Sequence, residues 1–194
     1  MILTKENILK LHRKYAKNER HFNIIVKHCE IVNDVAQWVT KNIDTDVDTE
    51  LLEQACLIHD IASSAFMSDH DFDHRYYQMH AILGGKLLID EGVDPRIAEM
   101  VSNHLSISVT KEEVERYGLK IPARDHMPTS IEGRILNYAD EFHSKDPKFN
   151  SVESKKMYYT KFMPSQLSKF IECMEEFGVP DLDILSDKYG CPIV

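Results

Sequence analysis

The chain has no apolar run approaching the roughly 20 residues that a membrane-spanning helix needs. Its first residues, Met1-Ile2-Leu3-Thr4-Lys5-Glu6, lack the basic segment and long apolar stretch of a secretion signal, so a cytoplasmic location is expected. Cysteine is scarce: Cys29, Cys56, Cys173 and Cys191 lie far apart and form no Cys-x-x-Cys pair. That argues against a zinc knuckle or a disulfide framework. Cys29 and Cys56 fall within apolar helical patterns, where buried free thiols are expected. Positive charge is also short, with 23 lysines and arginines against 32 aspartates and glutamates, a net charge of −9. Such a balance disfavours recruitment by nucleic acid or by an anionic membrane. Repeats, low-complexity tracts and Gly/Ser linkers are missing too, and 194 residues at 43% hydrophobic content suffice for one core.

What the chain does contain is helical spacing. Apolar residues recur at i, i+3 and i+4, while strand-like alternation never persists. The pattern predicts helices at 4–17, 20–42, 49–62, 76–91, 94–105, 111–117, 130–144 and 151–177, an all-α bundle in a single domain over 1–194. Thr49 and Asp94 read as N-caps, with Pro95 at a first helical position. Gly178 and Pro180 read as the stop of the last helix. Two loops, 63–75 and 106–129, follow helices of interest and could each cover a site. The first contains a polar cluster, Asp69-His70-Asp71-Phe72-Asp73-His74, for which solvated loop is the default reading. Trp38, Tyr158, Tyr159 and Phe162 read as core or interface positions.

Ten histidines are the feature to follow. His28 shares a helical face with Ile25, Val32, Val35 and Val39, and His59 shares one with Leu52, Ala55 and Ala62, with Asp60 next in the chain. His80 is in line with Leu83, Gly84, Leu87 and Leu88, His104 with Ile97, Met100 and Val101, and Asp140 with Leu136. Taken singly, a histidine on an apolar face is most often a hydrogen-bonded core residue. Together they are harder to explain that way. Burying five such groups separately would cost about 1–3 kcal/mol each unless each found a partner, whereas a shared cation satisfies them all. Neutral imidazoles and carboxylates suit Fe, Mn, Co, Ni or Zn, and a carboxylate can bridge two ions. Two ions about 3.5–4 Å apart can activate a hydroxide and clamp a phosphoryl group, which predicts hydrolysis of a phosphate ester or anhydride.

In these residues the chain resembles the HD superfamily of metal-dependent phosphohydrolases. The family's H…HD…D pattern is met by His28, by Leu57-Ile58-His59-Asp60-Ile61-Ala62 and by Tyr138-Ala139-Asp140, over roughly residues 20 to 145, leaving 151–194 as a helical extension. Members with a dinuclear centre carry two further histidines in between, and His80 and His104 match them, as do the small residues Gly84 and Gly85. The resemblance implies one ion on His28, His59 and Asp140, a second on His80 and His104, and Asp60 as the bridge. It is similar to the small bacterial HD hydrolases that cleave symmetrical dinucleoside tetraphosphates, which implies a nucleotide substrate. Two departures stand out. Ser63 occupies a position where many relatives carry a phosphate-binding lysine, and Leu105 follows His104 where the cyclic-di-nucleotide branch has a second histidine.

Candidate replacements for the missing cation are Lys27, Lys86, Arg134 and Lys145. Arg134, six residues before Asp140, is the first choice, so Asp60 and Arg134 are the expected catalytic residues. His143 suits either a supporting position behind the ligands or the surface. The expected partners are a small phosphorylated substrate and divalent transition metal, without nucleic acid or membrane. Whether the last helix and tail pack on the core or on a second subunit is open, and with it a homodimer. A non-catalytic metal- or nucleotide-binding regulator and a di-iron oxygenase remain as alternatives.

Overall fold

A computed structural model describes residues 3–68, 73–145 and 147–194. Ten α-helices account for most of them: α1 (Lys5–Tyr15), α2 (Glu19–Asn42), α3 (Thr49–Ile58), α4 (Met79–Asp90), α5 (Pro95–Ser102), α6 (Lys111–Tyr117), α7 (Ile131–Asp140), α8 (Val152–Phe162), α9 (Pro164–Phe177) and α10 (Leu182–Tyr189). A two-residue antiparallel ladder joins β1 (His143–Ser144) to β2 (Lys148–Phe149). The all-α expectation holds.

The long helix α2 is the spine. Asn18 caps it by accepting from the His21 amide, and its inward face carries Phe22, Ile25, His28, Cys29, Val32, Val35 and Val39. α3 and α7 pack on α2, while α4 and α5 form a pair beside them. Gly84 and Gly85 allow that pair to close: a Cβ on Gly85 would lie 2.7 Å from the Ala98 carbonyl oxygen, and one on Gly84 would lie 3.0 Å from Val101 Cγ1. Burial of the main core, which includes Leu52, Ile58, Leu88, Val101 and Leu136, supplies most of the driving force. Tyr138, Phe142, Phe170 and Phe177 extend that core towards the C-terminal helices. All four cysteines are buried free thiols, as expected for Cys29 and Cys56.

Several boundaries differ from the sequence expectation. The N-cap of α3 is Asp48, not Thr49, because the Asp48 carboxylate accepts from the Leu51 amide. The predicted helix 151–177 is two helices. Pro164 lacks an amide hydrogen and disfavours helical geometry in the residue before it, and Met163 sits at φ −143°, ψ 65°. Helix α7 ends at Asp140 rather than 144, and the chain turns back through the β1–β2 ladder. The tail folds onto its own domain: the Phe149 amide donates to the Pro192 carbonyl at 2.8 Å and the Ser151 amide to the Val194 carbonyl at 2.7 Å. In the polar cluster of the first loop, Asp69, His70, Asp71 and Phe72 lie outside the described residues.

Candidate metal centre

Four imidazoles and two carboxylates from five helices and their ends meet at one point. His28 comes from the middle of α2, His59 and Asp60 from the end of α3, His80 from the first turn of α4, His104 from just beyond α5, and Asp140 is the last residue of α7. His59, Asp60, His104 and Asp140 thus sit at helix C-termini, whose unpaired carbonyls carry partial negative charge and favour a cation. Of the six residues, Asp140 retains some exposure, 25% of its side chain, so access to the cluster runs past it.

The two oxygens of Asp60 face different partners. Oδ1 lies 3.0 Å from His80 Nε2 and 3.6 Å from His104 Nε2. Oδ2 lies 3.3 Å from His28 Nε2 and 3.7 Å from His59 Nε2. Asp140 Oδ1 completes the second side, 2.9 Å from His28 Nε2 and 3.5 Å from His59 Nε2. Two sets, His28 with His59 and Asp60, and Asp60 with His80 and His104, offer ligand atoms that all lie within 4.8 Å of one another. One carboxylate shared between two sets is the arrangement a bridging ligand requires.

The opposite edge of each ring explains why the Nε2 atoms face inward. His59 Nδ1 donates to the Cys56 carbonyl at 2.8 Å, His80 Nδ1 to the Tyr77 carbonyl at 2.5 Å and His104 Nδ1 to the Val101 carbonyl at 2.5 Å. Each partner is three residues back in the chain. A proton held on Nδ1 leaves a lone pair on Nε2, which is the ligating tautomer. Those lone pairs then crowd: His28 and His59 Nε2 are 3.2 Å apart, and His80 and His104 Nε2 are 2.9 Å apart. Neutral nitrogens facing each other at such distances repel unless a proton or a cation lies between them. Asp60 Oδ2 is buried and receives no well-aligned hydrogen bond, although the Lys145 ammonium is 2.5 Å away. The residues therefore fit a divalent metal, and imidazole with carboxylate is a suitable donor set for Mn, Fe, Co, Ni or Zn.

Charge in the pocket is balanced by neighbours. Burial pushes the Asp60 carboxyl up, but the Lys145 ammonium and the His59 imidazole outweigh it and hold Asp60 well below the usual carboxylate range. Burial depresses the Lys145 ammonium, yet Asp60, Tyr77 and Asp140 raise it overall. Burial, reinforced by the Lys145 charge, pushes the His28 imidazole down to about 4, and burial does the same to His104. Ser63 is not idle in the place of the family lysine. Its hydroxyl donates to Asp60 Oδ1 at 2.7 Å and accepts from the Tyr77 hydroxyl at 3.2 Å.

Arg134 lies elsewhere. Its guanidinium pairs with the Glu176 carboxylate, 2.8 Å for Nη1 to Oε1, and stacks over the Phe177 ring, so it braces α7 against α9. Lys27 donates to the Tyr189 carbonyl and Lys86 faces solvent. Of the four candidate cations, Lys145 is the one brought to the cluster. The expected helix through 144 hid this, since α7 stops at Asp140 and the turn into β1 redirects the chain. Asp146-Pro147 was the available turn signal. That same turn buries His143, whose Nδ1 lies 2.9 Å from His28 Nδ1, so the supporting position is occupied and the surface alternative is not.

Comparison with known proteins places this geometry in context. The HD domain family model matches residues 25–145. A tRNA (cytidine(56)-2'-O)-methyltransferase of Picrophilus torridus is 30% identical over 84% of this chain, and an uncharacterised protein of Methanocaldococcus jannaschii is 30% identical over 68%. The chain spans 44% of the first relative's length and 74% of the second's. Among solved structures, the HD domain of the L. monocytogenes phosphodiesterase PgpH superposes with a TM-score of 0.56 at 13% identity, covering 92% of this chain and 91% of that one. The same domain in complex with cyclic-di-AMP gives 0.53. The matched segment begins just before His28 and ends at Lys145, so it takes in every residue of the cluster, and this chain belongs to the HD domain family.

Proposed function

We propose that this protein hydrolyses a phosphate ester or anhydride in a small nucleotide, using two divalent transition-metal ions. His28, His59 and Asp140 would hold one ion, His80 and His104 the other, and Asp60 would bridge them. The observation that carries this reading is the division of Asp60 between two sets of imidazoles whose Nε2 lone pairs converge. When bound, the ions would supply a water-derived nucleophile and charge stabilisation for the phosphoryl oxygens.

The chain's own residues do the rest. Backbone carbonyls fix the three tautomers, and Ser63 fixes the Asp60 carboxylate so that it need not reorganise during the reaction. Lys145 holds a positive charge at the rim of the cluster, where it can meet the phosphate in place of a lysine at position 63. A nucleotide is favoured because a structural neighbour binds cyclic-di-AMP, and because small HD hydrolases of the resembling type act on dinucleoside polyphosphates. The methyltransferase name belongs to relatives more than twice the length of the matched segment, and no methyl transfer is carried over.

Metal analysis of protein purified without added metal tests the reading, with His80→Ala and His104→Ala alongside. About two ions per chain are expected, falling towards one in both variants. Phosphate release from nucleotides with Mn²⁺ should fall with them. One ion that neither change affects would point to a mononuclear site, and no metal under any loading condition would defeat the enzyme reading.

A further inference from the structure

Beyond the matched segment, α8 closes a cleft of about 200 Å³ against the cluster's immediate neighbours. Its walls include Leu105, next to His104, and Glu141, next to Asp140, together with Ser106, Lys155, Tyr158 and Tyr159. Ser106 is held at φ 53°, a left-handed conformation unfavourable for a residue with a side chain, and its hydroxyl lies 2.6 Å from the Tyr159 hydroxyl. Local strain of that kind tends to mark functional positions. The Lys155 ammonium pairs with the Glu141 carboxylate and lies 5.1 Å from the Tyr158 ring centre and 5.0 Å from that of Tyr159.

These features select a ligand. Because Glu141 already neutralises Lys155, the cleft makes no demand for a second anionic group. Its remaining surface is two tyrosines, apolar side chains, the Ser106 hydroxyl and the Gln78 amide, which suits a flat, uncharged heteroaromatic group with a polar edge. The volume falls below the roughly 300–1,000 Å³ that encloses a drug-sized ligand, so one ring system fits and a dinucleotide does not. Tyr158 keeps 47% exposure beside its contacts with Lys155, Tyr159 and Phe162. We infer that this cleft binds the nucleobase of a substrate nucleotide, with Tyr158 as its stacking face, while the phosphate lies at the Asp60 cluster.

The inference rests on the phosphohydrolase reading, and the experiment separates the two. With Mn²⁺-loaded protein, kcat/KM is measured for AMP, GMP, CMP and UMP and for base-free ribose 5-phosphate, in the wild type and in Tyr158→Ala and Tyr158→Phe. Equilibrium dialysis of the best-bound nucleoside monophosphate runs in parallel. The preference for nucleotide over ribose 5-phosphate should fall between about 5- and 150-fold in Tyr158→Ala, the range for losing a base–aromatic stack, with the loss in KM and recovery in Tyr158→Phe. An unchanged preference, or equal nucleotide affinity in the wild type and Tyr158→Ala, overturns the cleft while leaving hydrolysis intact. Binding that depends on Tyr158 without turnover of any phosphate supports the cleft and sinks the hydrolase reading.

Discussion

In the proposed reading, Ser63 and Lys145 would divide the part that one lysine plays in many members of the family that this chain resembles. The serine orients Asp60 and the lysine, from a turn some eighty residues later, provides the charge. Protonation at this site is tied to stability with a definite sign. Burial holds His28 and His104 at about 4, and burial with the His28 and Lys145 charges holds His143 at about 3, whereas the unfolded rings titrate near 6.5. Below pH 6.5 these three rings bind more protons in the unfolded chain, so their contribution to stability is full above that value and is lost as pH falls through about 4. Asp60 and Asp140, both held below their usual range, add loss in the same direction at lower pH. Urea unfolding of metal-free protein should show midpoints declining steadily from pH 6.5 to 4, and a flat midpoint over that window would contradict the burial of neutral rings. The six cluster residues were legible in sequence because five lie on apolar helical faces and Asp60 directly follows one of them. Lys145 and His143 were named only as candidates among others, since the placement of both depends on a turn whose path no periodicity encodes.

At the scale of elements, the α4–α5 pair sets the spacing of two of the proposed ligands. His80, in the first turn of α4, and His104, just beyond α5, stand together at the open end of that hairpin, and their Nε2 atoms meet at 2.9 Å only if the helices approach at Gly84 and Gly85. Gly85→Ala would drive a methyl group into the Ala98 carbonyl and Ser102 Cβ, both at 2.7 Å. Over-packing of this kind costs about 1–3 kcal/mol. Thermal unfolding should register the loss, and metal affinity should weaken with it, whereas Gly118→Ala, at an open turn, should leave metal affinity alone. Periodicity located seven of the ten helices by type and place. It merged α8 with α9, where Pro164 was the signal, and it passed over α10 in the tail.

For the molecule as a whole, the cluster lies where helices stop. α3, α5 and α7 each end within two residues of a cluster residue, and for His59 and His104 the ring is anchored to a carbonyl of its own last turn. Helix ends are the parts of a protein that open most readily. Ions held as proposed, one by His59 and Asp140, the other by His104, with Asp60 shared between them, would tie these three termini into one cooperative unit. Hydrogen exchange should read this directly: amides of residues 56–62, 101–105 and 137–141 should open separately without metal and slow together when it is added, with α10 unaffected. Occupancy of the centre would then be written into the opening rates of three helices at once, so that metal supply sets the local stiffness of the chain as well as its chemistry.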